Sequence, residues 1–92
     1  MMAQQDLKVS KIHHIPQGRI KAFVDLVVND ALLIKGVKIV SSPKGGIFVA
    51  MPQVVGKNKQ WYEQVRCLNH QLRQEISTIV LDAYQTSLKY SV

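Results

Sequence analysis

Apolar and polar positions alternate along the first half of this chain and recur at helical spacing only near its end. Residues 7–15 alternate loosely and predict a first strand. Pro16-Gln17-Gly18 is turn chemistry. Residues 19–28 alternate cleanly: Ile20, Ala22, Val24, Leu26 and Val28 form the face expected to meet a core. Arg19, Lys21, Phe23, Asp25 and Val27 form the opposite face, which mixes charge with apolar groups and is expected to be partly wet. Asn29-Asp30 signals a tight turn. Residues 31–40 predict a third strand, and a bulge at Gly36 explains why alternation fails across Lys35-Gly36. Residues 41–46 form the next turn, ending on two glycines that suit positive φ. Residues 47–51 are five apolar residues, the length of one short buried strand, and Pro52 closes it because proline has no amide hydrogen for a ladder.

Residues 53–60, with Gly56, Lys57, Asn58 and Lys59, read as a mobile loop, and residues 61–68 as a fifth strand. Asn69 is a good helix N-cap. Beyond it Leu72, Ile76, Ile79, Val80, Ala83 and Leu88 make one apolar stripe with Tyr84 beside it, while Arg73, Gln74, Ser77, Asp82 and Gln85 occupy the other face. Residues 90–92 are expected to fray. Strands first and one helix last is an α+β pattern: a small antiparallel sheet of about five strands and a C-terminal amphipathic helix, one domain over residues 1–92 with its core in about 7–88. One helix covers one face of a sheet, and few charges guard the edge of the third strand. A homodimer that extends or covers the sheet is the expectation.

Composition narrows the function. Apolar residues make up 47% of the 92, enough for a core and too many for a disordered tail. No apolar run reaches the roughly 18 residues of a membrane span, and the opening residues lack the basic and apolar regions of a secretory signal. The single cysteine, Cys67, allows no intramolecular disulfide and is expected to pack as a small hydrophobe in a reducing cytoplasm. The net charge is +6, and residues 1–60 hold nine Lys/Arg against three Asp, whereas residues 61–92 are balanced. All of the excess therefore precedes the helix. It suits an anionic partner, nucleic acid before membrane; the alternative, which charge alone does not separate from it, is a solvated surface that only aids solubility.

Two groups of cations are candidate nucleic-acid contacts. Lys57 and Lys59, joined by Arg66 and Arg73, can meet phosphates as point charges, with Arg73 also in the first turn of the helix, where a phosphate is favoured. Trp61 and Tyr62 beside them can stack on exposed bases, or else serve as core and half-buried strand residues. Arg19, Lys21, Lys35 and Lys38 can array into a stripe on the sheet, or simply solvate it. Arg73 alternatively pairs locally with Asn69 or Ser77.

Other chemistry finds little support. His13-His14 point to opposite faces of a strand and chelate one ion poorly; no metal or other cofactor is expected. Ser42-Pro43-Lys44-Gly45-Gly46 lacks the ending of a phosphate loop and reads as a hairpin turn. Asp25 is expected to balance Arg19 or Lys21. The six carboxylates form no evident acid–base pair, so neither catalysis nor a small-molecule substrate is expected.

Three blocks together carry a family resemblance. They are Arg19-Ile20-Lys21-Ala22-Phe23-Val24; Val37-Lys38-Ile39-Val40 leading into Gly46-Ile47-Phe48-Val49-Ala50-Met51-Pro52; and Asn69 followed by Arg73, Ile76, Val80-Leu81 and Tyr84. Over about residues 7–85 the chain resembles the SpoVG family (stage V sporulation protein G, the septation regulator). The resemblance implies a small α+β fold that dimerises by strand pairing, in cytoplasmic bacterial proteins. It also implies regulatory binding to DNA, and in some cases RNA, linked to septation and, in spore formers, sporulation. The chain departs from the family where Ser and a basic pair usually follow the Met-Pro: Gln53, Val54 and Val55 stand there, and the charge arrives later, at Lys57 and Lys59. Cys67 stands where proline is usual. The competing reading is a non-catalytic protein-interaction scaffold in cell division whose basic surface is incidental.

Overall fold

A computed structural model describes residues 6–90, and three long strands carry its first half. β1 (Leu7–His14), β2 (Ile20–Val28) and β3 (Leu32–Ser41) pair antiparallel, and the short β4 (Ile47–Ala50) adds to β3, giving the order β1-β2-β3-β4. A second, two-stranded sheet pairs β5 (Gln53–Val55) with β6 (Trp61–Glu63), and α1 (His70–Tyr90) follows. The architecture is α+β.

Local chemistry accounts for the joints. Asn29 and Asp30 both adopt positive φ (54° and 51°), as a type I′ hairpin turn requires, and the Ala31 N–H closes it on the Val28 carbonyl at 3.0 Å. Asn29 Oδ1 also accepts from the Asp6 N–H at 2.8 Å, which ties the start of β1 to this turn. Across β2 and β3, Val24 faces Val37 while Leu26 faces Ile34, so three steps of β3 oppose two of β2. Gly36 absorbs the extra residue at φ 86°. Without that bulge, period-two alternation would send Ile34 and Val37 to opposite faces; with it, both are buried together with Ile39.

The predicted core face of β2 is the observed one. Ala22, Val24 and Leu26 are fully buried, with Ile20 and Val28 half-buried at the ends. α1 lies against β1 and β4 and inserts Ile76, Val80 and Tyr84, each four residues apart and all buried. Asn69 caps it, its Oδ1 accepting from the Leu72 N–H at 2.7 Å. Tyr84 therefore belongs to the core rather than beside the stripe, and Leu88 drops out of it at 48% exposure. The hydroxyl of Ser87 donates to the Tyr84 carbonyl (2.7 Å) and is left to accept from His14 Nε2, 3.1 Å away, while the His14 ring sits 5.6 Å from the Tyr84 ring. Cys67 packs half-buried against the core.

Several expectations are corrected. The α+β class holds, but the described residues form six strands in two sheets rather than about five in one. The strand at 47–51 ends at Ala50 and is an edge: Phe48 is 46% exposed, because the helix covers only the face that carries Ile47 and Val49. The third strand is interior, so the open edges of the larger sheet are β1 and β4. Residues 53–60 are not a loop throughout but the first strand and turn of a hairpin. The strand expected at 61–68 stops at Glu63, and Leu68 is almost wholly exposed. Asp25 shares β2 with Lys21, Arg19 lies just before that strand, and the neighbour of Asp25 across β1 is Lys11. The fraying expected at 90–92 falls on the last residue of α1, Tyr90, and on Ser91 and Val92, which lie outside the described residues, as do residues 1–5.

Candidate nucleic-acid interface

Among the described residues no helix lies over the outer face of the four-stranded sheet. Phe23 pairs with Lys38, and Val27 with Leu33, on the side opposite the buried residues. This face is therefore apolar and cationic at once. The β5–β6 hairpin follows β4 directly through Met51 and Pro52, and the Gln64 N–H donates to the Pro52 carbonyl at 2.8 Å, closing its base. Together the hairpin and the sheet enclose an open groove of about 370 Å³ whose lining includes Phe23, Lys35, Lys38, Gln53 and Trp61.

Within it, the Lys38 ammonium stands 5.7 Å from the centre of the Trp61 ring, within cation–π range, and donates to Gln53 Oε1 at 3.5 Å. Trp61 is 64% exposed, so its reading as a core residue is overturned. A three-residue strand in a separate two-stranded sheet has no interior in which to bury an indole. Tyr62 is 47% exposed but internally engaged. Its hydroxyl accepts from Asn58 Nδ2 at 2.8 Å, and its ring lies so close to Gly56 that a Cβ there would come within 2.7 Å of Cε2.

The cations singled out from sequence are spread over several strands, turns and the helix. Lys57 and Lys59 share the tight β5–β6 turn, where Lys59 adopts a φ of 64° and its N–H donates to the Gly56 carbonyl at 3.0 Å. Both are exposed. Arg19, exposed, and Lys21, half-buried, stand either side of Ile20, which also lines the groove. Arg66, between β6 and α1, is drawn to Glu63 at 3.7 Å, and Arg73 is exposed in the first turn of α1. Arg73 and the hairpin turn are thus carried by separate elements. Lys35 and Lys38 of the predicted sheet stripe do line one groove with Trp61, and Lys38 reaches its ring. Sequence reasoning did not join β3 to Trp61; the Met51-Pro52 corner that folds the hairpin back over the sheet carries no periodic signal.

Charge is little quenched. Among the described residues the ion pairs join Lys8 to Asp6 (3.8 Å) and Asp30 (3.3 Å), and Arg66 to Glu63. Arg19, Lys21, Lys35, Lys38, Lys57, Lys59 and Arg73 stand outside them. The Lys8 ammonium is held above its ordinary pKa by its hydrogen bond to Asp30, then by the charges of Asp30 and Asp6. No group of three or more metal-binding side chains occurs among the described residues, and none of the described helices is long and apolar enough to cross a membrane.

Fold and site together define a small α+β protein with one face sealed by a helix and the other left open, apolar and basic. Residues 2–86 match the SpoVG family, and the chain belongs to it. It is 31% identical over 91 residues to a protein of Heliobacterium modesticaldum, covering 99% of both chains. A protein of Fusobacterium nucleatum is 30% identical over 83 residues, covering 90% of this chain and 88% of the relative. One from Desulforudis audaxviator is 31% identical over 84 residues, covering 91% and 92%. Each of the three carries the name "Putative septation protein SpoVG", which describes a place in septation and no catalysed reaction.

Proposed function

We propose that this protein is a non-catalytic regulator that binds nucleic acid, DNA or RNA, in the bacterial cytoplasm, with a role tied to septation and gene regulation. The observation that carries this reading is the set of unquenched cations around an open sheet face. A net charge of +6 with seven named cations outside any ion pair among the described residues leaves a surface that attracts polyanions. Lys57 and Lys59 on the hairpin turn, with Arg19 and Lys21 at the sheet end, are the phosphate contacts in this account; Arg66 and Arg73 add to the field near the helix start.

The protein acts as a homodimer in this reading. β4 is an uncharged, unbulged edge, whereas β1 is guarded by Lys8, Lys11 and a register shift between Val9 and Lys11. Pairing of two β4 edges would set two hairpin turns at a fixed spacing by two-fold symmetry.

One observation favours a second reading. Val54 and Val55, 46% and 49% exposed, sit where relatives of the family usually carry basic residues, and an apolar strand suits a protein partner. Fluorescence anisotropy separates the two. Binding to DNA or RNA at low salt, weakened in Lys57→Ala with Lys59→Ala and with the salt slope of the dimer reduced by about three to four, supports the first. No binding at low salt refutes it.

A further inference from the structure

We infer that the groove between the sheet and the β5–β6 hairpin takes one unstacked base of a single-stranded nucleic acid, with Trp61 as the stacking platform. The inference rests on the nucleic-acid reading above and narrows it to a substrate form. Three features of the groove point to a base rather than to phosphate alone. Trp61 is 64% exposed, and Phe23 lies in the same lining, so the cavity offers π and apolar surface to a flat ring. Lys35 and Lys38 supply charge in that lining while no Asp or Glu contributes to it, so the site complements an anionic chain. Gln53 uses its oxygen on Lys38, which leaves its amide N–H groups to meet a base edge.

The local fold also distinguishes Trp61 from its neighbour. Tyr62 is committed to the hairpin by Asn58 and by its close approach to Gly56. Trp61 has no such constraint beyond the Lys38 ammonium over its ring, which an incoming base would displace toward the phosphate of the same nucleotide. Bases inside a duplex have their faces covered by their neighbours, so a groove of this kind selects single strands.

The chain contains one tryptophan, so emission excited selectively from tryptophan reports on this site alone. The probes are a fluorescein-labelled oligothymidylate of about 12 nucleotides and the duplex of the same length, at low salt. The expected result is quenching of Trp61 emission by the single strand. Trp61→Ala should weaken single-strand binding about 5- to 100-fold and leave duplex binding unchanged, with Trp61→Phe restoring most of the loss. Lys57→Ala with Lys59→Ala should weaken both probes. Far-UV circular dichroism of Trp61→Ala is expected to match the parent, since the side chain lies outside the core. If the single strand binds without quenching and equally well to Trp61→Ala, while the lysine variant still loses affinity, the groove assignment fails and the wider function stands. If neither probe binds the parent, both fail. If Trp61→Ala converts a dimer to monomer in sedimentation, a second copy occupies the groove and the assignment is overturned.

Discussion

Replacing Val80 by alanine tests the way the single helix seals the sheet. Val80 is fully buried in the middle of the Ile76–Val80–Tyr84 row, on the face that meets β1 and β4. Truncation removes two methyl groups, about 0.8 kcal/mol each in transfer free energy. A close-packed site that cannot collapse adds a cavity cost of up to about 1 kcal/mol. The expected destabilisation is about 2–2.5 kcal/mol, which for a domain of this size lowers Tm by roughly 10–20 °C. Leu68→Ala is the control. It removes a larger side chain, but one 93% exposed, so its cost should stay within about 0.5 kcal/mol. Both are read by urea denaturation at one fixed protein concentration, followed by helix circular dichroism, because assembly would otherwise shift the apparent stability. Equal costs for the two variants would refute the reasoning: Leu68 would then be covered by something other than the helix–sheet core.

Other outcomes follow from single contacts. Asn69→Ala removes the acceptor of the Leu72 N–H and should cost about 1 kcal/mol in the same assay, with Asn69→Asp near neutral. Gly36→Ala places a Cβ at φ 86°; nothing lies within 4 Å of it, so the cost of about 1–2 kcal/mol is backbone strain alone and Gly36→Asn should cost less. The Lys8 ammonium has a raised folded-state pKa, so its contribution is full below the ordinary lysine value and is lost as pH rises through the raised one. Asp30→Ala should return its NMR titration toward the ordinary value, and an unchanged midpoint would contradict the assigned cause.

Much of the fold was legible because local chemistry and tertiary environment agree. The alternation of β2, the bulge at Gly36, the Asn29-Asp30 turn and the Asn69 cap are each written in residue types that permit few alternatives. The failures have a common physical origin. β5 and β6 are three residues each and exposed throughout, so no buried face imposes a period on Gln53-Val54-Val55 or Trp61-Tyr62-Glu63. β4 is apolar on both sides, which reads as full burial, yet an edge strand under one helix buries a single face. Of the candidate site, the cationic residues were visible one by one. Their grouping was not, since Lys35 and Lys38 come to line one groove with Trp61 only through a chain reversal at Met51-Pro52.

The central claim is that cations outside ion pairs on a strand-paired dimer track a phosphate backbone. The dependence of binding affinity on salt tests it most directly. Four phosphates held by the Lys57 and Lys59 pairs of two protomers predict a linear fall of log affinity with log salt, contributing about −3.6 to the slope on duplex DNA, which the Arg19 and Lys21 pairs make steeper. An affinity indifferent to salt, or no measurable binding at the lowest salt, would contradict it.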